Sequence, residues 1–598
     1  MKRSHEAPFE PPTLGSCLAE LLPRSLQGDA RELLAATITL VADERDRGNV
    51  CIALGDHAQR PREAGAPFPA VAAWRDGLLA SGLCATGETG EVPTPLVLRP
   101  DGRLYFHRHW ATERRLVAAL RARLDTAPLV TPDALRAALQ TTGWRPSTDA
   151  APDWQLAAIA AIAARPFTIL CGGPGTGKTT TVARAIAVLR RLHPQLHVAL
   201  AAPTGKAAAR LGEALRAQRA ALGATDAERA DPEPTTLHRL LGYLALDDAF
   251  RRGADRPLPH DLVVVDEASM VDPALLAQLF AALRPTARLL LVGDKDQLAA
   301  IAAGQVLGEL CRSAAPERGV GSGLAAFVRI ATGMVLPVQP NAHPMAECTV
   351  LLRKNHRFGA QPGIGAFASA LATRRPDDAL TALEAGHDDL VRRTDPERAL
   401  ATIADALLDA ASAPDPETAL RRLSTVRILA ASRHGPHGTI AWNERVESLL
   451  RERGRRAEGP YYPGRPILVV ANDHQNRVWN GDLGVIHPDD KGRPFAWFPT
   501  VDGQPRRIAP VRLPPHETAW AITVHKAQGS EFETVLVSMP DQHGPMWNAS
   551  LLYTAVTRAR RRAVVLADPT LLPAALANWP ERTSGLAIEL ARTGRSPA

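Results

Sequence analysis

The chain has 598 residues, of which 45% are hydrophobic and 22% are charged, and it carries a formal net charge of +7 at pH 7. These are ordinary values for a globular protein, and the length is sufficient for several domains that each bury a core. The protein therefore does not need disulfide or metal crosslinks for its stability.

The six cysteines are scattered along the chain, with no C-x-x-C pair and no cluster of histidines nearby. This pattern argues against a disulfide framework and against a zinc site, and it predicts reduced thiols. The first residues lack the apolar core of a signal peptide, and no apolar run is long enough to cross a bilayer. We expect a soluble, cytoplasmic protein with no membrane partner. The positive charge is compatible with a nucleic-acid partner but indicates one only weakly.

Residues 1–115 contain no catalytic signature. Apolar residues, among them Leu33, Leu34, Ile38 and Val41, recur there at helical spacing, which predicts a small, mainly helical domain. Two interpretations of this domain remain open, a structural cap and a module that docks a partner. A helical connector at about 113–140 leads from it to the next region.

From Trp154 onward, apolar runs alternate with amphipathic helices, which is typical of an α/β fold with a parallel sheet covered on both faces. Four runs each end at a polar motif, at Phe167–Cys171, 197–202, Leu262–Val265 and 289–292. Ligands bind beyond the carboxyl ends of such strands, so we expect these motifs to converge on one crevice.

A stretch rich in Gly and Pro at 315–344 interrupts this alternation. It predicts a bridge between two α/β domains, at 116–340 and 341–598. Val426–Ala430 restarts the alternation, and runs at 521–524 and 534–537 complete a second sheet. Between about 480 and 515, short apolar pieces separated by Gly, Pro and Asp predict a small β-barrel insertion.

The segment 172–179 reads Gly-Gly-Pro-Gly-Thr-Gly-Lys-Thr and lies between a predicted strand and a predicted helix. In a phosphate loop, glycines let backbone N–H groups close around phosphates, a lysine reaches the β- and γ-phosphates, and a hydroxyl faces Mg²⁺. Lys178 and Thr179 occupy those two positions. The alternative is an incidental glycine-rich turn, which the strand and helix on either side argue against.

Asp266 and Glu267 follow an apolar run and so lie at the tip of a predicted central strand. One carboxylate can hold Mg²⁺ and the other can orient or deprotonate the attacking water. A solvated turn is the alternative, which the phosphate loop makes much less favourable. Gln297 ends the next predicted strand and is a candidate to contact the γ-phosphate or that water.

An arginine placed on the developing charge accelerates the hydrolysis of a triphosphate. Arg357 and Arg558 are the candidates, because both lie in the predicted second domain and would be donated across a cleft. Closure of the cleft would then depend on ATP. The alternative for each is an ordinary surface arginine.

Taken in order, the motifs resemble those of superfamily 1 helicases, and their wording resembles the RecD family, the alpha subunits of exodeoxyribonuclease V. The resemblance covers roughly residues 154–567 and is carried by the segments 172–179, 202–208, 236–242, 265–270, 293–298, 480–482, 523–531 and 553–560.

The resemblance implies a 5′-to-3′ DNA helicase with two RecA-like P-loop motor domains, an SH3-like β-barrel insertion in the second, and an N-terminal domain that docks a partner. It implies ATP and Mg²⁺ as cofactors, DNA as substrate, and RecB and RecC as partners in double-strand-break repair. Gln297 and Arg357 would contact the γ-phosphate, and Thr179 and Asp266 would hold the metal. Other nucleotide contacts would come from Gln155, Gly172, Gly173, Pro174, Gly175, Thr176, Gly177, Lys178, Thr180 and Glu531. A single DNA strand would lie along Pro203, Thr204, Lys206, Thr236, His238, Thr523, His525 and Lys526.

The sequence departs from the family pattern in several places. Lys354-Asn355-His356 stands before Arg357 where a serine-tyrosine pair is expected, which leaves the local packing open. The stretch 242–261 is short, so any strand-separating pin there is small. An N-terminal helix-hairpin-helix module is not evident, which favours a subunit of a complex. An acidic-lysine nuclease cluster is not evident either, so DNA cutting is expected of a partner.

Two other functions remain open at this stage. One is a stand-alone or relaxase-associated superfamily 1 helicase. The other is a DNA-binding scaffold that uses ATP as a switch without unwinding.

Overall fold

Parallel sheets covered by helices form most of the molecule, which confirms the predicted α/β fold. The computed structural model describes residues 14–62, 66–87, 94–142, 151–221, 233–244, 247–300, 302–357, 362–473, 475–500 and 505–592. Within these residues, no helix is both long enough and apolar enough to cross a membrane.

Helices predominate in the N-terminal region, and a four-stranded sheet in the order β1-β4-β3-β2 packs with them. Its elements are α1 (Leu14–Glu20), α2 (Gly28–Asp46), β1 (Cys51–Ala53), α3 (Leu54–His57), α4 (Val71–Ala80), β2 (Cys84–Ala85), β3 (Leu96–Leu98) and β4 (Arg103–Phe106). Leu34, Ile38 and Val41 of α2 are buried with Trp74, as their spacing predicted. The sequence did not predict the sheet, because strands of two to four residues are too short to display an alternating pattern.

Three helices lead into the first parallel sheet, namely α5 (His107–Leu124), α6 (Pro132–Thr141) and α7 (Trp154–Ala164). Helix α5 crosses the predicted domain boundary at 115/116 without a break and buries Leu116 and Leu120 in the core of the first α/β domain. Helix α7 is apolar on nearly all sides and is buried, as expected for a helix enclosed by protein.

The first sheet has six strands in the order β12-β5-β11-β10-β6-β7, and all neighbours are parallel. The strands are β5 (Phe167–Cys171), β6 (Val198–Ala202), β7 (Thr235–Thr236), β10 (Leu262–Val265), β11 (Arg288–Gly293) and β12 (Thr349–Leu351). The helices of this domain are α8 (Lys178–Leu192), α9 (Gly205–Ala221), α10 (Leu237–Leu241), α11 (Pro273–Ala282), α12 (Val306–Ala314) and α13 (Ser322–Thr332). A two-stranded hairpin, β8 (Tyr243–Leu244) with β9 (Ala249–Phe250), projects after α10.

The predicted boundary at 340/341 is wrong, because the first sheet continues beyond it. Strand β12 pairs with β5 in parallel, with Thr349 opposite Ile169. The stretch predicted as a bridge also belongs to this domain, since Leu324 and Val328 of α13 are buried in its core. Gly and Pro residues interrupt the periodicity of this stretch, but they did not mark a domain boundary.

The second sheet has five parallel strands in the order β13-β22-β21-β14-β20. These are β13 (Leu390–Arg393), β14 (Val426–Ala430), β20 (Ala521–Thr523), β21 (Phe532–Ser538) and β22 (Ala559–Leu566). The helices of this second α/β domain are α14 (Pro362–Ala372), α15 (Pro376–Glu384), α16 (Pro396–Ala401), α17 (Ala404–Ala411), α18 (Pro416–Leu423), α19 (Thr439–Glu452), α20 (Ala549–Val556) and α21 (Leu572–Ala577).

A five-stranded antiparallel sheet is inserted between β14 and β20, in the order β18-β17-β16-β15-β19. Its strands are β15 (Pro466–Val469), β16 (Leu483–Pro488), β17 (Pro494–Phe498), β18 (Arg506–Ile508) and β19 (His516–Thr518). The insertion therefore begins before the predicted limit of about 480, because Ile467 and Val469 of β15 share its small core with Ile486 and Phe498.

The C-terminal segment (residues 580–592) leaves the second α/β domain and packs against the rest of the chain. Its helix α22 (Leu586–Ala591) buries Leu586 and Leu590 in the first α/β domain. Glu113 of α5 accepts hydrogen bonds from Ser584 Oγ and Gly585 N, both at 3.0 Å. The predicted second domain, 341–598, therefore ends before this segment.

Candidate active site

The predicted phosphate loop connects β5 to α8 and is closely packed. Gly172 N donates to Gly293 O of β11 at 3.1 Å. Gly175 and Gly177 have φ of +79° and +87°, a conformation that favours glycine. A Cβ on Gly175 would overlap the Cβ of Arg357, and one on Gly177 would lie 2.5 Å from Gln155 Nε2. The structure thus brings Gln155 and Arg357 to the loop.

Lys178, Thr179 and Thr180 form the first turn of α8, where N–H groups without intrahelical partners favour an anion. Lys178 Nζ donates to Gly172 O at 2.6 Å and to Gly173 O at 3.0 Å. The ammonium group is therefore held above the loop. This arrangement matches a site for the phosphates of a nucleotide.

Asp266 and Glu267 follow β10 at the same edge of the sheet. Glu267 adopts a left-handed conformation with φ of +49°, and its N–H donates to Asp266 Oδ1 at 2.9 Å. Burial and the neighbouring Glu267 raise the pKa of Asp266 to about 6, against the opposing effects of Lys178 and Arg210. The carboxylates of Asp266 and Glu267 are half-buried beside the phosphate loop, and with a hydroxyl such as that of Thr179 they are oxygen donors of the kind that Mg²⁺ prefers.

Gln297 is buried after β11, and it forms part of a contact between the two α/β domains. Its Nε2 donates to Asp294 Oδ2 at 3.1 Å, and Tyr553 OH of α20 donates to the same oxygen at 2.9 Å. Among the described residues, Gln297 Oε1 has no hydrogen-bond partner. Thr554 Oγ1 also accepts from the N–H of Leu298 at 2.9 Å.

Arg357 and Glu531, both predicted nucleotide contacts, form an ion pair of 2.7 Å. Glu531 is also paired with Arg210 of α9 and, at 3.0 Å, with Arg560 of β22. Burial acts to raise the pKa of Glu531, but the guanidinium groups of Arg210 and Arg357 hold it well below the ordinary value. The sequence did not indicate Arg210, which lies outside the motifs.

Arg558 lies in the second α/β domain and is 2% exposed. Its Nε donates to Thr554 O at 3.1 Å and its Nη1 to Ser530 O at 3.4 Å. These acceptors belong to its own domain, so its hydrogen bonds do not join it to the phosphate loop. It follows α20, however, whose Tyr553 lies against that loop, 3.0 Å from the position of a Cβ on Gly173.

The residues that replace the expected serine-tyrosine pair pack directly on the phosphate loop. Asn355 Nδ2 donates to Pro174 O at 2.9 Å, and Asn355 Oδ1 accepts from Arg357 N at 2.9 Å. His356 N donates to Gly175 O at 2.9 Å. Asn355 therefore links the loop to Arg357, a role that the sequence did not reveal.

The predicted DNA contacts of the first α/β domain lie where its strands end. Thr204 Oγ1 accepts from Ala207 N, and Thr236 Oγ1 accepts from Arg239 N, both at 3.2 Å. Pro203 precedes Thr204 and is half-buried. Burial and the positive charge of Arg427 lower the pKa of Lys206 to about 8. His238 lies 5.4 Å from Tyr243 and 6.1 Å from Phe250, ring centre to ring centre, at the hairpin of β8 and β9.

The predicted contacts of the second α/β domain lie at the end of β20 and directly after it. Thr523 Oγ1 accepts from Lys526 N at 3.4 Å, and Lys526 Nζ is paired with Glu517 of the insertion. Burial, and secondarily the charge of Arg582, lower the pKa of His525. Trp479 of the insertion lies close to α9, 3.3 Å from the position of a Cβ on Gly205.

These features define a P-loop nucleotide-binding protein of helicase-like α/β fold. Three family models match the chain: RecBCD enzyme subunit RecD, N-terminal domain, at 14–105; an AAA domain at 155–303; and the UvrD-like helicase C-terminal domain at 518–566. The RecBCD enzyme subunit RecD of Mycobacterium tuberculosis is 38% identical over 584 residues, 95% of this chain and 93% of the relative. The chain belongs to the RecD family.

Further relatives carry related names. The RecBCD enzyme subunit RecD of Mycolicibacterium smegmatis is 36% identical, over 94% of this chain and 97% of the relative. The ATP-dependent RecD2 DNA helicase of Deinococcus radiodurans is 31% identical, over 77% of this chain and 55% of the relative. The solved structure of Bacteroides Pif1 bound to single-stranded DNA has 17% identity and a TM-score of 0.39, over 72% of this chain and 95% of that chain. A likeness that low says nothing about function.

Proposed function

We propose that the protein is an ATP-dependent 5′-to-3′ DNA helicase that acts as a subunit beside RecB and RecC in double-strand-break repair. The observation that carries this proposal is the contact between the two α/β domains at the nucleotide site. Tyr553 of the second domain contacts the phosphate loop and Asp294 of the first domain directly. Glu531 of the second domain reaches the loop through its ion pair with Arg357. A site built by two domains can convert hydrolysis into relative movement.

The two α/β domains would be the RecA-like motor domains, and the antiparallel insertion would be the SH3-like barrel of the second. In each of the two α/β domains, the strands are parallel and their carboxyl ends carry the polar motifs. The N-terminal region, held to the first domain by α5 and by the C-terminal segment, would dock RecB or RecC. We further propose that DNA cutting belongs to a partner and that the protein acts in the cytoplasm.

ATP would bind with its phosphates at the N terminus of α8, beside Lys178 and the N–H groups of the first turn of that helix. Gln155 lies against Gly177 and would contact the base. Thr179 and Asp266 would hold Mg²⁺, which neutralises phosphate charge when bound. Their oxygens fit this ion, and its charge would oppose the effects of burial and of Glu267 that raise the pKa of Asp266.

Hydrolysis requires a group that orients the attacking water. Glu267 is the proposed base, and Gln297 Oε1 supplies an acceptor without a partner among the described residues. Arg357 and Arg558 would stabilise the charge that develops on the γ-phosphate. Arg357 already contacts the loop, whereas Arg558 would first have to leave the carbonyls of Thr554 and Ser530.

A single DNA strand would lie across both domains. The hydroxyls of Thr204, Thr236 and Thr523 and the cations of Lys206 and Lys526 can bind phosphates without reading sequence. Pro203, His238 and His525 would line the same track. The aromatic rings of the hairpin of β8 and β9 lie beside His238, which suits a small strand-separating pin.

Unwinding of duplexes with either a 5′ or a 3′ overhang tests activity, direction and dependence on partners together. We expect ATP-dependent unwinding from the 5′ overhang, and greater unwinding when the cognate RecB and RecC are present. A replacement of Lys178 in this chain separates its contribution from that of its partners. Two results would contradict the proposal. One is preferred unwinding of the 3′-overhang duplex that disappears when Lys178 of this chain is replaced. The other is ATP hydrolysis by this chain that does not respond to DNA.

A further inference from the structure

We infer that Arg210 is a positioning residue that transmits occupancy of the DNA track to the ATP site. It would do so by holding the loop that contains Gly529 and Glu531 in the second α/β domain against α9 of the first. The inference rests on the proposed helicase function and adds to it a residue outside the family motifs.

The position of Arg210 on α9 is the first argument. Arg210 lies one turn after Lys206, and residues at this spacing share one face of a helix. Lys206 is a proposed DNA contact, and its pKa is lowered in part by the charge of Arg210. The same helical face therefore presents one cation to the DNA track and the next cation to the second domain.

The contacts of Arg210 across the domain boundary are the second argument. Arg210 Nη1 donates to Gly529 O at 3.1 Å, and the guanidinium is paired with Glu531. Gly529 has φ of +70° and lies against Ala207 of the same helix. This loop follows Lys526, so it connects the proposed DNA contacts of the second domain to the nucleotide site.

The charge balance around Glu531 is the third argument. Its carboxylate, 9% exposed, is paired with Arg210, Arg357 and Arg560. Arg560 also lies 3.8 Å from Glu533, so Arg210 and Arg357 are the two cations that depend most on the carboxylate of Glu531. Once Arg357 turns toward the γ-phosphate, Arg210 remains to hold Glu531 in place.

The two proposed hydrolytic carboxylates also act electrostatically on Arg210. Burial acts to lower its pKa, but the charges of Glu531, Glu267 and Asp266 raise it above the ordinary value. Arg210 therefore interacts electrostatically with the proposed metal and water site of the first domain while it contacts the loop of the second. DNA bound at Lys206 would shift α9 and, through the Arg210–Glu531 ion pair, move Glu531. The ion pair between Glu531 and Arg357 would then change, and the rate of hydrolysis would change with it.

The experiment measures ATP hydrolysis by the full-length chain with and without an unstructured single-stranded oligonucleotide. We expect Arg210→Ala to lower the ratio of DNA-stimulated to DNA-free kcat by about tenfold or more. Binding of the oligonucleotide without nucleotide should weaken by less than about threefold, because the proposed DNA contacts remain. Arg210→Lys should recover part of the ratio, since an ammonium can still pair with Glu531. Arg216→Ala, an exposed arginine on the same helix, is the matched control.

A stimulation ratio in Arg210→Ala equal to that of the wild type would overturn the inference while leaving the proposed function intact. A wild-type chain whose hydrolysis does not respond to DNA would instead contradict the proposed function, and the inference with it. If Arg210→Ala does not fold, Arg210→Lys and Glu531→Gln are combined in a double-mutant cycle. Additive losses in the ratio would also overturn the inference, because coupled residues give non-additive effects.

Discussion

Tyr553 of the second α/β domain donates its hydroxyl to Asp294 of the first at 2.9 Å, on the same carboxylate oxygen that accepts from Gln297 Nε2. Asp294 is 2% exposed. A side chain from one domain therefore helps to orient the predicted γ-phosphate sensor of the other. Hydrogen bonds to a buried carboxylate are strong and costly to lose, so this contact couples the position of α20 to the geometry at Gln297.

Tyr553→Phe removes this hydroxyl without changing the packing of the ring. We expect kcat for ATP hydrolysis to fall by about tenfold to 100-fold, with KM changed by less than about threefold, because a hydrogen bond to a charged group contributes about 1.5 to 3 kcal/mol. Steady-state kinetics with DNA present measure the effect. Tyr461→Phe, at an exposed tyrosine, is the control. An unchanged kcat would show that this contact does not act on hydrolysis.

Lys178→Gln is expected to reduce ATP hydrolysis to below about 1% of the wild-type rate, because the glutamine amide carries no charge for the phosphates. The fold should remain, since an amide can still donate to the carbonyls of Gly172 and Gly173. Hydrolysis and thermal unfolding are measured in parallel, with Lys491→Gln on the exposed face of the insertion as control. Near wild-type hydrolysis would remove the assigned site.

Arg558→Ala is expected to retain ATP binding within about threefold while kcat falls by about 10³. The free energy of unfolding should also fall by about 1 to 3 kcal/mol, because the carbonyls of Thr554 and Ser530 lose their donor. ATP binding, turnover and thermal unfolding are measured together. Arg558→Lys restores a buried donor but not the guanidinium group. If it recovers both stability and full turnover, Arg558 has a purely structural role.

The pH dependence of stability tests the environment of Asp266. Its pKa in the folded chain is raised to about 6, so the proton is bound more tightly in the folded state than in the unfolded state. Its contribution to stability is therefore fully present below the unfolded pKa, near 4, and is lost as the pH rises through about 6.

Asp266→Asn, which carries no charge, should accordingly be more stable than the wild type at pH 8, by up to about 3 kcal/mol, and of equal stability at pH 4 or below. Denaturant unfolding without nucleotide or divalent metal measures the difference. A difference that stays constant between pH 4 and 8 would show that the aspartate does not titrate in this range.

Arg582→Ala tests how the C-terminal segment is held. One guanidinium nitrogen of Arg582 lies within hydrogen-bond distance of the carbonyls of Ala300, Ala302 and Gly304, at 2.7, 2.8 and 2.8 Å, and shares its two N–H groups among them. Its loss should lower the free energy of unfolding by about 2 to 3 kcal/mol. Cleavage near residue 580 by an added protease should also increase, because the segment detaches. Arg561→Ala, at an exposed position, is the control, and equal cleavage of the two variants would contradict the expectation.

The sequence by itself determined the elements that depend on local pattern. Long apolar runs that end in Gly172 or in Asp266 and Glu267 specified buried parallel strands with polar motifs at their carboxyl ends, and the glycines specified the phosphate loop. Such signals are local, because strand burial and left-handed backbone conformations leave their mark within a few residues.

The tertiary structure decided the contacts between distant segments. The pairing of Arg210 with Glu531, the link from Asn355 to the phosphate loop and the return of residues 580–592 to the first domain leave no periodic trace in the sequence. The same holds for β12, whose three residues belong to the first sheet only through its pairing with β5. The physical reason is that one ion pair or one short strand is specified by its partner in space, and neighbours along the chain do not reveal that partner.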